Sequence, residues 1–122
     1  MQSYKELFVY QKGYQLSLEI YRVTNNFPKE ELYGIISQMR RAAISIPCNI
    51  AEGYRRGHRK EYIQFLHIAQ GSCGELETLL SLSWDLSYIN EENFAKLYKI
   101  QEDVSRLLRA LINSLSKPKV MR

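Results

Sequence analysis

Apolar residues recur at alternating intervals of three and four along almost the whole chain, and this predicts an all-α, antiparallel up-down four-helix bundle. Two further observations agree with it. No segment alternates with the period of two that a strand needs, and the breaks between periodic segments are short enough to make neighbouring helices antiparallel. At 122 residues the chain forms one domain, 1–122, whose 45% apolar and 25% charged residues are those of an ordinary globular protein.

Each helix has its own seam and its own punctuation. Helix one, about residues 4–25, carries Val9, Gly13, Leu16, Ile20, Val23 and Phe27, and Ser3 with Glu6 makes a capping-box pattern at its start. Asn25-Asn26-Phe27-Pro28 breaks the chain. Helix two, about 29–56, opens behind Pro28 with Glu30 and Glu31 in its first turn. Its seam is Leu32, Ile36, Met39, Ala43, Ile46, Ile50 and Gly53, and Gly57 stops it. Helix three, about 58–86, aligns Tyr62, Leu66, Ala69, Cys73, Leu76, Leu80 and Ser83. Helix four, about 91–116, starts at the N-cap Asn90 and aligns Leu97, Gln101, Val104, Leu108, Leu111 and Leu115.

Two compositional departures need a reason. Pro47 falls inside helix two, where it removes a backbone hydrogen bond and costs about 3 kcal/mol in an ordinary helix. A kink at Pro47 is expected, with Ser45 or Asn49 satisfying the freed backbone groups. Gly71 and Gly74 lie inside helix three, each costing about 1 kcal/mol relative to alanine, so close packing of another backbone is expected there.

The charge is unevenly spread. The chain holds 17 bases and 13 acids; six of those bases and one acid lie between Arg40 and Lys60, leaving 11 and 12 elsewhere. Arg40, Arg41, Arg55, Arg56, Arg59 and Lys60 are therefore the candidate nucleic-acid-binding residues, with Tyr54 or Tyr62 available to stack on bases. Phosphate contacts of this kind give affinity without sequence discrimination, and structured RNA is the expected ligand. A competing reading gives at least one of Arg40 and Arg41 to the architecture, bridging carboxylates of a neighbouring helix or subunit. On that reading the chain is a protein-interaction scaffold.

Helices two and three are apolar over more than one stripe. Ile44 and Cys48 on helix two, and Phe65 and Ile68 on helix three, lie off the main seams and are the candidate oligomer interface. Enzymatic chemistry finds no support: there is no phosphate loop, no GxSxG and no HExxH. Cys48 and Cys73 have no metal-ligand spacing, so reduced, buried thiols are expected, with no metal and no cofactor. His67 is expected to pack or hydrogen-bond. The start, MQSYKELFVY, has no signal-peptide layout and no apolar run could span a bilayer, so a cytoplasmic protein without membrane association is expected.

Phe27-Pro28, Glu31, Tyr33-Gly34, Ser37-Gln38, Arg40-Arg41-Ala42-Ala43, Ser45-Ile46-Pro47, Asn49-Ile50-Ala51-Glu52-Gly53 and Gly71-Ser72 resemble the bacterial four-helix bundle family of 23S rRNA intervening-sequence proteins. The resemblance runs from about Leu7 to Leu115 and is most specific between Arg40 and Gly53. It implies the up-down bundle and a ring-like homo-oligomer, a pentamer. The family is similar to accessory proteins of diversity-generating retroelements, which bind a reverse transcriptase and nucleic acid, so the resemblance also implies a polymerase-type partner as an alternative to RNA.

Overall fold

The computed structural model describes residues 3–118. Four α-helices, α1 (Phe8–Thr24), α2 (Ser37–Arg55), α3 (Arg59–Asp85) and α4 (Glu91–Ser116), pack in the cyclic order of the chain, each against its sequence neighbours and α1 against α4. No strand occurs among the described residues. Their seams meet in one core around Leu16, Ile20, Met39, Ile46, Ile50, Leu66, Leu76, Leu80, Leu97 and Leu108, all fully buried.

Two helices begin later than the sequence suggests. Ser3 Oγ accepts from the Lys5 amide at 3.1 Å, but it caps only a single 3₁₀ turn, Tyr4–Glu6. Leu7 is extended, and α1 starts at Phe8. Beyond Pro28 the chain makes a 3₁₀ turn, Lys29–Glu31, and a π turn, Leu32–Ile36, before α2 settles at Ser37. Gly34 (φ −111°, ψ −115°) departs from helical dihedrals there, and the Glu31 carboxylate accepts from the Ile35 amide and the Tyr88 hydroxyl. That carboxylate ties the α1–α2 connection to the α3–α4 turn.

Helical bonding continues through Pro47. The carbonyl deprived of its partner is that of Ala43, four residues back. Ser17 of α1 supplies the replacement, its one hydroxyl proton shared between that oxygen at 3.0 Å and the Gly13 carbonyl of its own helix at 3.1 Å. The expected helpers, Ser45 and Asn49, bond to each other instead: Asn49 Nδ2 donates to the Ser45 carbonyl and hydroxyl. Gly13 makes the approach of α1 possible, since a Cβ there would sit 3.1 Å from Ile46 Cγ2.

Outside the shared core, two ion pairs join α1 to α4, Lys96–Glu19 and Lys12–Asp103. Glu19, nearly buried, pairs with Arg22 and Lys96, and hydrogen bonding from Lys96 holds its carboxyl below the usual range. Asp103 collects Lys99, Arg106 and Lys12, which hold its carboxyl well below the usual range. The α3 helix ends in a Schellman arrangement, with Tyr88 N–H on the Ser83 carbonyl, Ser87 N–H on Trp84, and Ser87 itself at φ 63°.

The glycines of α3 correct another expectation. Nothing lies within 4 Å of where a Cβ of Gly71 or Gly74 would stand, so no helix of this chain packs on them. Close approach occurs at Gly53, where a Cβ would meet Phe65 Cβ at 2.7 Å and lock α2 onto α3.

Candidate functional site

The turn between α2 and α3 concentrates the positive charge. Arg55 is the last residue of α2, Gly57 reverses the chain at φ 77°, and Arg59 and Lys60 open α3. A glycine suits that left-handed backbone; a side chain there would strain it. Arg55 and Arg56 stand at the negative end of the α2 dipole, which favours them. Arg59 and Lys60 stand at the positive end of α3, which does not. Only Glu61 in that first turn offsets them.

The six candidate cations divide by their surroundings. Arg55, Arg59 and Lys60 are exposed, and no hydrogen bond or ion pair engages them among the described residues. Arg56 is engaged: its guanidinium bonds Glu52 at 2.9 Å and Glu61 at 3.4 Å and lies 5.0 Å from the Phe65 ring. Arg40 is more thoroughly occupied. Its Nε donates to Thr24 Oγ1 at 2.9 Å, its Nη2 reaches Asn25 Oδ1 at 3.1 Å and the Tyr21 carbonyl, and its plane covers the Tyr21 ring. It thereby closes the C-terminal end of α1, using neutral oxygens and not the carboxylates expected from sequence. Arg41 is exposed and has no partner among the described residues, but it lies 14 residues upstream of Arg55, about 21 Å along the helix. The structure thus brings together Arg55, Arg59 and Lys60 and sets Arg41 apart.

The two tyrosines near the turn are turned inward. Tyr54 and Tyr62 meet edge-on at 5.9 Å, and Tyr54 also meets Tyr4. Burial pushes the Tyr62 hydroxyl up. Its oxygen has no hydrogen-bond partner among the described residues.

The four candidate interface residues fall into three places. Ile44 and Cys48 line a groove between α1 and α2, a cavity of about 380 Å³ walled by Tyr10, Tyr14, Leu18 and Tyr21. It continues past Ile44 into a second hollow of about 620 Å³ with Tyr33 and Arg41 on its lip. Cys48 is therefore exposed rather than buried as expected. Cys73 is buried, and its thiol is pushed up to about 12 by that burial. Phe65 packs within the chain under Arg56 and Gly53. Ile68 points outward from α3, 51% exposed. His67 is also exposed, without a bond among the described residues, contrary to the packed role expected of it.

Sequence reasoning missed the tyrosine wall of the groove. Tyr10, Tyr14, Leu18 and Tyr21 follow helical spacing along α1, off the core seam, and that second stripe was there to be read. No group of His, Cys, Asp and Glu able to hold a metal occurs among the described residues, and no helix among them is long and apolar enough to cross a membrane.

Residues 5–110 match the family model described as 23S rRNA-intervening sequence protein. No curated protein matches the chain in sequence. Among solved structures, a protein with unknown function from the S23 ribosomal protein family of Bacteroides thetaiotaomicron superposes with a TM-score of 0.80. It is 24% identical, the match covering 86% of this chain and 95% of that one, a likeness of fold. By the family match, which takes in most of its length, the chain belongs to the 23S rRNA-intervening sequence proteins.

Proposed function

We propose that this protein is a non-enzymatic, self-associating nucleic-acid-binding protein that meets the phosphates of structured RNA through the α2–α3 turn. One observation carries the reading: Arg55, Arg59 and Lys60 flank a single exposed turn with no partner among the described residues. Cations with a structural task are held by oxygens of their own chain, as Arg40 is. Two of these three also oppose their own helix dipole, so local stability gives them no reason to be there. Phosphate neutralisation does.

Self-association makes the patch effective. Three cations per chain give weak binding, whereas several copies on one particle act together and raise avidity without new contacts. The exposed apolar residues Ile44, Cys48 and Ile68 supply the surface for it. A pentameric ring and a cytoplasmic site of action are part of this reading. An acidic surface of a polymerase-type protein is the second partner class, since exposed guanidinium groups bind carboxylates as well as phosphates.

Purification without nuclease tests the reading. Ultraviolet absorbance should reveal co-purified RNA on a particle heavier than one chain, released by moderate salt. A nucleic-acid-free preparation that also fails to bind added RNA at low salt would refute it.

A further inference from the structure

We propose that the hollow between α3 and α4 is a binding site for a small zwitterion, a free α-amino acid with an uncharged polar side chain. The site is separate from the α2–α3 turn: Glu77, on its α3 wall, lies 17 residues beyond Lys60, about 25 Å along the helix.

The observation that carries the proposal is a polar side chain where packing asks for an apolar one. Gln101 shares the α4 seam with Leu97, Val104 and Leu108 and is only 1% exposed, yet its Oε1 has no hydrogen-bond partner among the described residues. A leucine would fill that position with nothing left unmet. A buried amide oxygen without a donor has given up its bond to water for none in return. The same side chain lines a hollow of about 230 Å³, whose other walls are Glu77 from α3 and Glu102, Ser105, Arg106 and Arg109 from α4. Rotation about the last side-chain bond exchanges the amide oxygen and nitrogen, so Gln101 can offer an occupant either an acceptor or a donor.

The charges around the hollow are balanced and held apart. Glu77, Glu102 and Arg109 are exposed and have no ion pair among the described residues. Glu102 precedes Arg106 by four residues, the spacing and order that favour pairing on a helix, but Arg106 turns to Asp103 at 2.6 Å instead. Two carboxylates and two guanidinium groups thus surround the space, and no pair closes across it. A molecule carrying both an ammonium and a carboxylate bridges such a ring. Its ammonium donates to Glu77 or Glu102, and its carboxylate accepts from Arg109 and the remaining nitrogens of Arg106. An ion of one sign would gain one half of the ring and be repelled by the other. The Ser105 hydroxyl and the Gln101 amide are left for the side chain, and both are uncharged hydrogen-bonding groups. The volume agrees, being the share of about eight water molecules and below the range of drug-sized pockets.

Titration of the full chain with L-glutamine and L-asparagine tests the proposal. The Gln101 side-chain amide signals in nuclear magnetic resonance should shift and saturate with at least one of them, at a dissociation constant of about 1 mM or tighter. Acetate and methylammonium, each carrying one end of the zwitterion, should bind at least about tenfold more weakly. Glu102→Gln and Arg109→Gln, both at exposed positions and with helicity checked by circular dichroism, should each weaken the amino acid about tenfold or more. Absence of a saturable shift with either amino acid overturns the proposal. Equal binding of acetate or methylammonium overturns it as well, since attraction to a single charge would then suffice. Binding that survives both substitutions puts the amino acid elsewhere and also overturns it. Each of these outcomes leaves the RNA reading of the turn untouched.

Discussion

Near the start of α2, Arg40 folds its guanidinium over Tyr21 and directs its donors to the side-chain oxygens of Thr24 and Asn25 and to the Tyr21 carbonyl; at the far end, Arg55 reaches into solvent beside Arg59 and Lys60. The two arginines share a helix and a charge. What separates them is the neighbour each faces. Arg40 lies over the C-terminal end of α1, which offers it the side-chain oxygens of Thr24 and Asn25 and the Tyr21 carbonyl. Arg55 lies beside a tight turn whose own next residues are cations. Density of charge along a sequence therefore measures supply, while the packing around each side chain measures what is left over for a ligand.

The largest expected effect lies at the turn. Changing Arg55, Arg59 and Lys60 together to Glu should abolish RNA retention in a filter assay. Thermal stability should change little, since exposed groups without partners contribute within about 0.5 kcal/mol. Arg40→Ala should do the reverse. It removes several charge-assisted hydrogen bonds and the contact with Tyr21, and chemical denaturation should show a loss of about 2–3 kcal/mol with RNA affinity per folded chain unchanged. Arg40→Lys should recover only part, because an ammonium cannot fork between Thr24 and Asn25. Equal loss of RNA binding in both experiments would erase the distinction between the two sites.

A smaller effect probes how α1 is joined to α2. Ser17→Ala should cost about 1–2 kcal/mol, because the Ala43 carbonyl then lacks both its helical donor and its substitute. The same change in a Pro47→Ala background should cost less, since the backbone N–H returns; denaturant titration of the four chains gives the coupling. The smallest effect belongs to the ionic contact of α1 with α4. The folded Glu19 carboxyl is held below its ordinary value of 4.5, so its contribution is present above that pH and is lost as pH falls through the folded value. The denaturation midpoint should drop on acidification below about pH 4.5, and Glu19→Gln should make that drop shallower.

Much of the fold was legible in the sequence because one physical signal repeats through it. Met39, Ile46, Leu66, Leu76, Leu97 and Leu108 fall on the expected seams and are fully buried. Asn90 caps α4 as its position suggests, accepting from the Asn93 amide at 2.8 Å. What could not be read depends on partners brought in from elsewhere. Ser17 reaches the carbonyl freed by Pro47 from another helix, and local spacing pointed to Ser45 and Asn49. The expected starts of α1 and α2 overran Leu7 and Gly34, where backbone dihedrals break a pattern that apolar spacing alone continues. At the candidate site, sequence gave six cations with equal standing. Packing sorts them, engaging Arg40 and Arg56 and leaving Arg41 on a separate face. The stacking role considered for Tyr54 and Tyr62 meets the same limit, since each ring already lies against the other.

The most direct measurement of whether the turn meets phosphates is the slope of RNA affinity against salt for the wild type and for the chain with Arg55, Arg59 and Lys60 changed to Ala. Each phosphate contact contributes roughly 0.7–0.9 to the logarithmic slope, so the triple variant should lose about 2 or more from it for each chain engaged. An unchanged slope, with affinity intact, would contradict the assignment of these three cations to the nucleic-acid contact.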